Sequence, residues 1–210
     1  MLDDMQKSIL KEYVNVFIGQ AANMLSEMTN QRVLLSVQEL EVIDMNDENA
    51  TNGKTFFEHG HIVSSSIRFG QDFSGRAYLI FPANKAKQLV DVCLGTHFEN
   101  TGVDFNKELT DTDFDVLKEI SNVILNSVVG EFSNLLGTKV DFGIPDVELI
   151  FVSENEQISH LKNNVYMLMF FTSFKMEMAE IKGVVVIALG MHSLNMVVDK
   201  INEIIGEMNE

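Results

Sequence analysis

The chain has 210 residues, 46% of them hydrophobic, which is enough for one large domain or for two small halves that share a core. Its net charge of −16 disfavours proteins that bind nucleic acid or anionic membranes, because both classes need a basic surface. The single cysteine, Cys93, excludes an intrachain disulfide and a metal site built from several thiolates.

The first half of the chain predicts a helix, three strands and a second helix. The apolar periodicity places these elements at residues 5–29, near 32–44, 61–69 and 75–81, and at about 83–95. Asn52 and Gly53 mark a loop, and Gly70 and Gly75 flank a hairpin connection. Pro82 stands just before the last helix, where its fixed φ and missing N–H are tolerated.

The second half predicts the same order of elements. They are expected at residues 112–136, near 139–152, 164–174 and 182–189, and at 191–208. Thr110 with Asp113 predicts an N-cap followed by an acidic first turn, and Gly137 predicts a C-cap. The turn between the last two strands is expected around Glu177–Glu180.

A polar pattern, Ser/Asp-xxx-Glu-xx-Asn, occurs in both long helices, 107 positions apart (115 − 8 = 107). Its members are Ser8, Glu12 and Asn15 in the first copy, and Asp115, Glu119 and Asn122 in the second. Further along, the offset becomes 108, where Gly75 corresponds to Gly183. We therefore expect one domain, 1–210, with internal repeats 5–104 and 108–210. The expected fold is α/β (α+β), with two helix–strand–strand–strand–helix halves that share a mostly antiparallel sheet.

Each long helix presents a carboxylate and an amide together, because residues at i, i+4 and i+7 lie on one stripe of a helix. For a single pair, a solvated helix face is the ordinary explanation, and the identical repeat favours a function instead. An amide can hold a water in line for attack, and a carboxylate can pair with a partner's lysine. The pair suits hydrolysis of a phosphoryl group on a substrate that already carries its activated group and metal ion.

The pattern continues to Pro145, which follows Asn122 after the 22 residues 123–144. Asp/Ser-xxx-Glu-xx-Asn with a proline at this distance resembles the signature of the CheC/CheX/FliY phosphatases of chemotaxis. Two copies in 210 residues are most similar to the two-site form, CheC. The resemblance implies two pseudo-symmetric halves with a shared sheet and two long helices side by side.

The resemblance also implies a reaction and roles for four residues. The reaction is dephosphorylation of a CheY-like response regulator. Asn122 and Asn15 would each orient an attacking water, and Glu119 and Glu12 would each pair with the regulator's active-site lysine. The Mg²⁺ would belong to the regulator, so no cofactor or metal is expected on this chain.

The first copy departs from the pattern, because Gln38 stands where the proline is expected. In the second copy, Asp115 and Pro145 complete the motif; in the first, Ser8 is a residue that the pattern permits. If the proline shapes the strand that supports the helix, the first site is looser. The second site is therefore expected to be the main catalyst, with the first either active or vestigial.

The resemblance to CheC adds a second partner, the receptor deamidase CheD, bound through the last helix of a half. Leu194, Val197, Val198 and Ile201 are available in the last helix, although a place in the core explains them as well. We expect a monomer, because internal duplication already supplies the pairing of a dimer. The alternative functions are a non-catalytic module that binds phosphorylated CheY or CheD, and a structural relative of flagellar-switch proteins.

Histidine and cysteine chemistry has weaker support. His59 and His61 would lie on one side of a strand, as in some metal sites, but no third ligand of matching type is close in sequence. Cys93 is expected to be an inert thiol on the apolar face of a helix. The remaining histidines are isolated: His97, His160 and His192.

The sequence also predicts a compartment. The first residues, MLDDM, lack the basic segment and apolar run of a secretory signal. No apolar run approaches the roughly 20 residues of a membrane span. We therefore expect a soluble cytoplasmic protein.

Overall fold

The computed structural model describes residues 2–47, 59–95, 109–153, 166–177 and 179–208, which form four helices and seven strands. In chain order, these elements are α1 (Asp4–Thr29), β1 (Leu34–Asp44), β2 (Gly60–Gly70), β3 (Gly75–Pro82), α2 (Ala83–Cys93), α3 (Asp111–Leu135), β4 (Asp141–Phe142), β5 (Asp146–Val152), β6 (Tyr166–Met176), β7 (Ala179–Leu189) and α4 (Met191–Met208). Apart from the two-residue β4, each half has the predicted order of elements. The loop expected at Asn52 and Gly53, and both His97 and His160, lie outside the described residues.

The two halves exchange strands within a single antiparallel sheet. The strand order is β1-β6-β7-β3-β2, and β4 and β5 pair with β2 at the far edge. Thus β1 of the first half pairs with β6 of the second, while β5 of the second pairs with β2 of the first. Strands β3 and β7 meet at the centre. This arrangement confirms the predicted fold of two halves that share one sheet.

All four helices contribute buried side chains to a core on one face of the sheet. The long helices α1 and α3 lie side by side there, with the Phe17 and Phe132 ring centroids 5.3 Å apart. A second cluster occupies the other face of the sheet, around Tyr78, Met167 and Val186. Burying one large apolar side chain contributes about 1.5–3 kcal/mol. The apolar faces of the helices therefore fix which face of each long helix remains at the surface.

The beginning of α3 is held by a capping box and an ion pair. The Thr110 hydroxyl accepts from the Asp113 backbone N–H, and the Asp113 carboxylate accepts from the Thr110 N–H. Lys87 of α2 donates to Asp113 at 2.9 Å and to Asp91 at 2.8 Å. Past the other end of the helix, Gly137 has φ +63°, as expected of a residue that ends a helix. The N-cap predicted at Thr110 is confirmed, whereas the C-cap is Leu136, and Gly137 is the left-handed residue that follows it.

Two glycines at repeat-related positions allow the closest approaches in the sheet. A Cβ on Gly75 would overlap the Ala188 carbonyl oxygen, and a Cβ on Gly183 would overlap the Phe81 ring. Gly75 also opens β3, as the predicted hairpin requires. A shared need for close packing therefore explains this pair in the repeat.

Two predicted strand boundaries and one predicted helix end differ from the structure. The strand expected near 139–152 is broken into β4 and β5, because residues 143–145 lie outside both strands and include Pro145, which has no N–H to donate. The turn expected around Glu177–Glu180 is tighter, because pairing continues until Met176 faces Ala179. The helix predicted at about 83–95 ends at Cys93, two residues early.

The two outer strands carry a register shift at repeat-related positions. In β1 the shift lies between Val37 and Glu39, so Gln38 is the extra residue of a bulge. In the second half, both β4 and β5 pair with β2, but the register of β5 is shifted by one residue from that of β4. Residues 143–145 therefore contain the corresponding extra residue. Gln38 and Pro145, which correspond in the repeat, therefore both lie in the region of a register shift.

Candidate functional site

The polar stripe of the second half lies on the face of α3 that points away from the sheet. Asp115 and Glu119 are exposed, and Asn122 is half-buried, whereas Leu117 and Ile124 on the opposite face are buried. The helix therefore presents the carboxylate of Glu119 and the amide of Asn122 at the surface together. Their burial pattern follows from the apolar face that α3 packs on the core.

An open cleft of about 800 Å³ runs past this stripe. Glu119, Asn122 and Asn126 line it from α3, Gln20 from α1, and Lys139 from the segment after α3. The cleft combines amides, carboxylates and an ammonium group around one surface. Such a lining can bind a polar or charged group of a partner, and it can hold water by hydrogen bonds.

Within the cleft, the two asparagines of α3 are hydrogen-bonded to each other. Asn126 Nδ2 donates to Asn122 Oδ1 at 2.7 Å, across one turn of the helix. The Oδ1 atom of Asn126 is buried and has no hydrogen-bond partner. The amide plane of Asn122 is thus fixed by its neighbour on the same helix.

The first stripe has a different environment. Ser8 and Glu12 are exposed and Asn15 is half-buried, as in the second half. However, Asn15 Oδ1 accepts a hydrogen bond of 2.7 Å from the backbone N–H of Val37, next to the bulge of β1. The carbonyl end of the Asn15 amide is therefore tied to the sheet.

A second contact from α1 reaches the same bulge. Lys11 Nζ donates to the backbone oxygen of Gln38 at 2.6 Å. Together with the bond from Val37 to Asn15, this contact holds α1 against the bulged part of β1. The bulge at Gln38 is thus supported by hydrogen bonds, whereas at Pro145 the ring itself restricts the backbone.

The other residues singled out in the sequence lie away from the cleft. The His59 and His61 rings both stack edge-on against Phe151, at centroid distances of 5.5 and 5.1 Å. Among the described residues, no group of three His, Cys, Asp or Glu side chains is placed to hold a metal ion. Burial raises the pKa of Cys93 to about 11, so this thiol stays protonated at neutral pH.

The last helix leaves little apolar surface at the positions considered for a partner. Leu194, Val197 and Ile201 are buried in the core, and Val198 is half-buried. Their apolar character is explained by packing within the chain. Within the described residues, no helix has both the length and the apolar character needed to cross a membrane.

Sequence reasoning missed the cleft residues contributed by other segments. Gln20 comes from the neighbouring long helix, Lys139 from the segment after α3, and Asp141 from β4. Asp141 is held in place by Gln71 of the first half, whose Nε2 donates to it at 2.7 Å. No spacing in the sequence could have identified these residues, because tertiary packing brings them to α3.

Comparison with known proteins finds related sequences and several solved structures with the same fold. No family model matches the chain. The flagellar motor switch phosphatase FliY of Bacillus subtilis (strain 168) is 21% identical over 180 residues, which are 86% of this chain and 44% of FliY. The chain therefore spans less than half the length of that relative.

Solved structures show that the fold is shared. Thermotoga maritima FliY superposes with a TM-score of 0.76 at 18% identity, covering 97% of this chain and 98% of FliY. FliM in the FliM-SpeE complex from H. pylori has a TM-score of 0.64 at 12% identity, with 97% of each chain covered. Vibrio vulnificus CheX is more distant, with a TM-score of 0.50 at 17% identity over 84% of this chain and 98% of CheX.

Proposed function

On the premise that the sequence match to FliY and the shared fold support membership of the CheC/CheX/FliY family, we propose that this chain is a protein phosphatase. Its substrate is the aspartyl phosphate of a CheY-like response regulator in chemotaxis signalling. The observation that carries the proposal is the pairing of Glu119 and Asn122 on the exposed face of α3, beside the cleft.

The reaction is hydrolysis of an acyl phosphate. A water oxygen forms a bond to phosphorus while the bond from phosphorus to the aspartyl oxygen breaks, which releases inorganic phosphate and restores the carboxylate. An amide cannot act as the nucleophile, but it can accept a hydrogen bond from the water and direct its lone pair. We assign this role to Asn122. The regulator brings its own Mg²⁺, and no metal is assigned to this chain.

Glu119 serves docking. It is exposed one helical turn before Asn122, so its carboxylate can reach a lysine at the rim of the regulator's active site. A pair between a carboxylate and a lysine fixes the orientation of the two proteins and speeds their encounter. Loss of Glu119 should therefore weaken binding as well as turnover.

We assign most of the turnover to the second site. Asn15 and Asn122 are equivalent in the repeat, but the carbonyl oxygen of Asn15 accepts from Val37 of the sheet. Inserting Asn15 into a partner would strain or break that bond, whereas the bond to Asn122 comes from the same helix and moves with it. Glu12 and Asn15 form a second, weaker site in this proposal.

The test is the decay of the phosphoryl group on a CheY-like regulator, with and without catalytic amounts of this protein. The wild-type chain should accelerate decay, Asn122→Ala should lose on the order of a hundredfold in rate while still binding, and Asn15→Ala should lose less. Asn195→Ala, an exposed asparagine of α4, is the matched control and should behave like wild type.

Two results would contradict the assignment. Full activity after both Asn15 and Asn122 are changed to alanine would remove the catalytic role of the stripe. Tight binding of the phosphorylated regulator with unchanged decay would make the chain a non-catalytic module, with the stripe as its docking surface. Binding of a CheD deamidase is a separate proposal, which a pull-down with purified CheD would test.

A further inference from the structure

Asn126 is the feature of the cleft that the repeat does not explain. It lies four residues after Asn122, and the corresponding residue of the first half is Gly19 (126 − 107 = 19). Gly19 has no side chain that could bond Asn15, and Asn15 accepts its hydrogen bond from the backbone N–H of Val37 in the sheet. The two halves therefore hold their repeated asparagines by different means.

The placement of Asn126 is costly for stability. Its Oδ1 atom is buried without a hydrogen-bond partner, and a buried unpaired acceptor costs about 1–3 kcal/mol. Asparagine also has a lower helix propensity than alanine. What the side chain gains in return is one hydrogen bond, from Nδ2 to Asn122 Oδ1 at 2.7 Å. A residue that is unfavourable for folding and bonded to the repeated asparagine is best explained by an effect on that asparagine.

We propose that Asn126 is a positioning residue, which clamps the amide of Asn122 in the orientation that hydrolysis requires. The inference rests on the proposed phosphatase function. A carbonyl oxygen has two lone pairs, and the bond from Asn126 occupies one of them. The second lone pair of Asn122 Oδ1 remains for a hydrogen of the attacking water, in a fixed direction.

The hydrogen bond from Asn126 also sets the directions in which the oxygen and the NH₂ group of the Asn122 amide point. Without a neighbour, the amide can rotate by half a turn about its last bond, which exchanges the acceptor with the donor. In the structure the Nδ2 donor of Asn126 faces the oxygen of Asn122, so the NH₂ group of Asn122 points elsewhere. The NH₂ group is then available to an oxygen of the phosphoryl group, which carries negative charge.

Two variants separate the clamp from a general effect on folding. Asn126→Ala removes the donor and the unpaired acceptor together, so the melting temperature should stay the same or rise. Its kcat on the phosphorylated regulator should fall on the order of tenfold, with KM changed by less than about twofold, because the orientation of the water is lost rather than docking.

Asn126→Asp keeps the size of the side chain and reverses its hydrogen bond. The ionised carboxylate can only accept, so it would bond the NH₂ group of Asn122 and turn the amide around. When protonated, the carboxyl can donate to Asn122 Oδ1 again. The rate of this variant relative to wild type should therefore rise as the pH falls from about 8 to about 5.5, because a partly buried carboxyl is protonated more readily.

Asn195→Asp is the control for added charge, since Asn195 is exposed on α4, and its relative rate should not depend on pH. Wild-type kcat in Asn126→Ala would overturn the proposal. So would an effect on KM alone, or a relative rate of Asn126→Asp that does not change with pH. A merely structural role would lower the melting temperature of Asn126→Ala instead.

A measurement on the free protein distinguishes failure of the clamp from failure of the phosphatase assignment. In ¹⁵N–¹H spectra of the free protein, the side-chain NH₂ signal of Asn126 should have a different chemical shift in Asn122→Ala than in the wild type. An unshifted signal would remove the clamp, whatever the activity. A shifted signal in a chain that does not accelerate decay would leave the hydrogen bond intact but overturn both the phosphatase function and the catalytic role of the clamp.

Discussion

At the scale of single residues, the same amide serves two purposes in this chain. Asn15 and Asn122 occupy equivalent positions of the repeat, yet one bonds the sheet and the other bonds a helical neighbour. Two local features differ: Asn126 in the second half corresponds to Gly19 in the first, and Val37 lies next to the bulge of β1. Both halves keep the motif, and the residues around it determine which group each asparagine bonds.

The charge of Asp113 offers a test of stability at this scale. Burial raises the pKa of this carboxyl, but hydrogen bonds from Thr110 and Lys87 lower it more, so the net pKa is below its usual range. Stability from this group is therefore present above the unfolded pKa of about 3.9 and is lost as the pH falls through the lower folded value. On the alkaline side, Lys87 has a raised pKa, and its contribution is lost as the pH rises through that value.

Asp113→Asn should cost about 1–3 kcal/mol at pH 7, because Lys87 loses a charged partner and the capping box is weakened. The difference from wild type should shrink as the pH falls below about 4 and through the lower folded pKa of Asp113, because the native carboxyl becomes neutral there. Urea unfolding at several pH values measures both effects. Asp111→Asn, in the same first turn but exposed, should change stability by less than about 0.5 kcal/mol. A loss that persists undiminished at pH 2 would contradict the electrostatic cause.

At the scale of elements, the close approach of strands depends on glycines that lack a Cβ. Gly183 of β7 faces the Phe81 ring of β3, and the two strands meet at the centre of the sheet. The hydrogen-bonded centre cannot widen to admit a methyl group without moving both halves. The packing of the central strands therefore explains why glycine fits this position better than a residue with a Cβ.

Gly183→Ala should destabilise the protein by about 1–3 kcal/mol, through overpacking against the Phe81 ring. The matched control is Gly206→Ala in α4, where a Cβ would meet nothing within 4 Å. That change should stabilise the protein by up to about 1 kcal/mol, because alanine is the better helix former. Chemical unfolding measures the free energy of unfolding of both variants. Equal values would show that the sheet accommodates the added methyl group without overpacking.

At the scale of the whole molecule, the exchange of outer strands makes each half depend on the other. β1 pairs only with a strand of the second half, and β5 pairs only with a strand of the first, within the part of the chain that is described. The helices of both halves then share a single core. The internal repeats 5–104 and 108–210 are thus predicted to behave as one folding unit.

Unfolding should accordingly be a single cooperative transition, with far-UV circular dichroism and tyrosine fluorescence giving the same midpoint. Gly75→Ala in the first half and Gly183→Ala in the second should each move that one midpoint to lower denaturant concentration. Two separated transitions, with each variant moving only its own, would show that the halves are independent domains.

Local patterns were sufficient for much of the fold and for the stripe. Helices and strands, the N-cap at Thr110, the end of α3 near Gly137, and the shared face of Glu119 and Asn122 all follow from patterns within one element, which depend on near neighbours along the chain. The break at Pro145 was missed as a boundary, although the proline itself was noted. A bulge is a property of two paired strands, and one strand's sequence does not reveal the register of its partner.

The repeat and the periodicity therefore establish the elements, their duplication and the paired residues of each stripe. Tertiary packing alone established which strands pair, how the cleft is lined and which partner each repeated asparagine meets. Asn15 bonds Val37, 22 positions away in the chain, through a bulge that forms only when β1 pairs with β6. Lys139 and Gln20 reach the cleft because α1 and α3 pack together. Contacts between distant segments depend on the whole fold, since an element's own residues determine which face it buries but not which neighbour covers it.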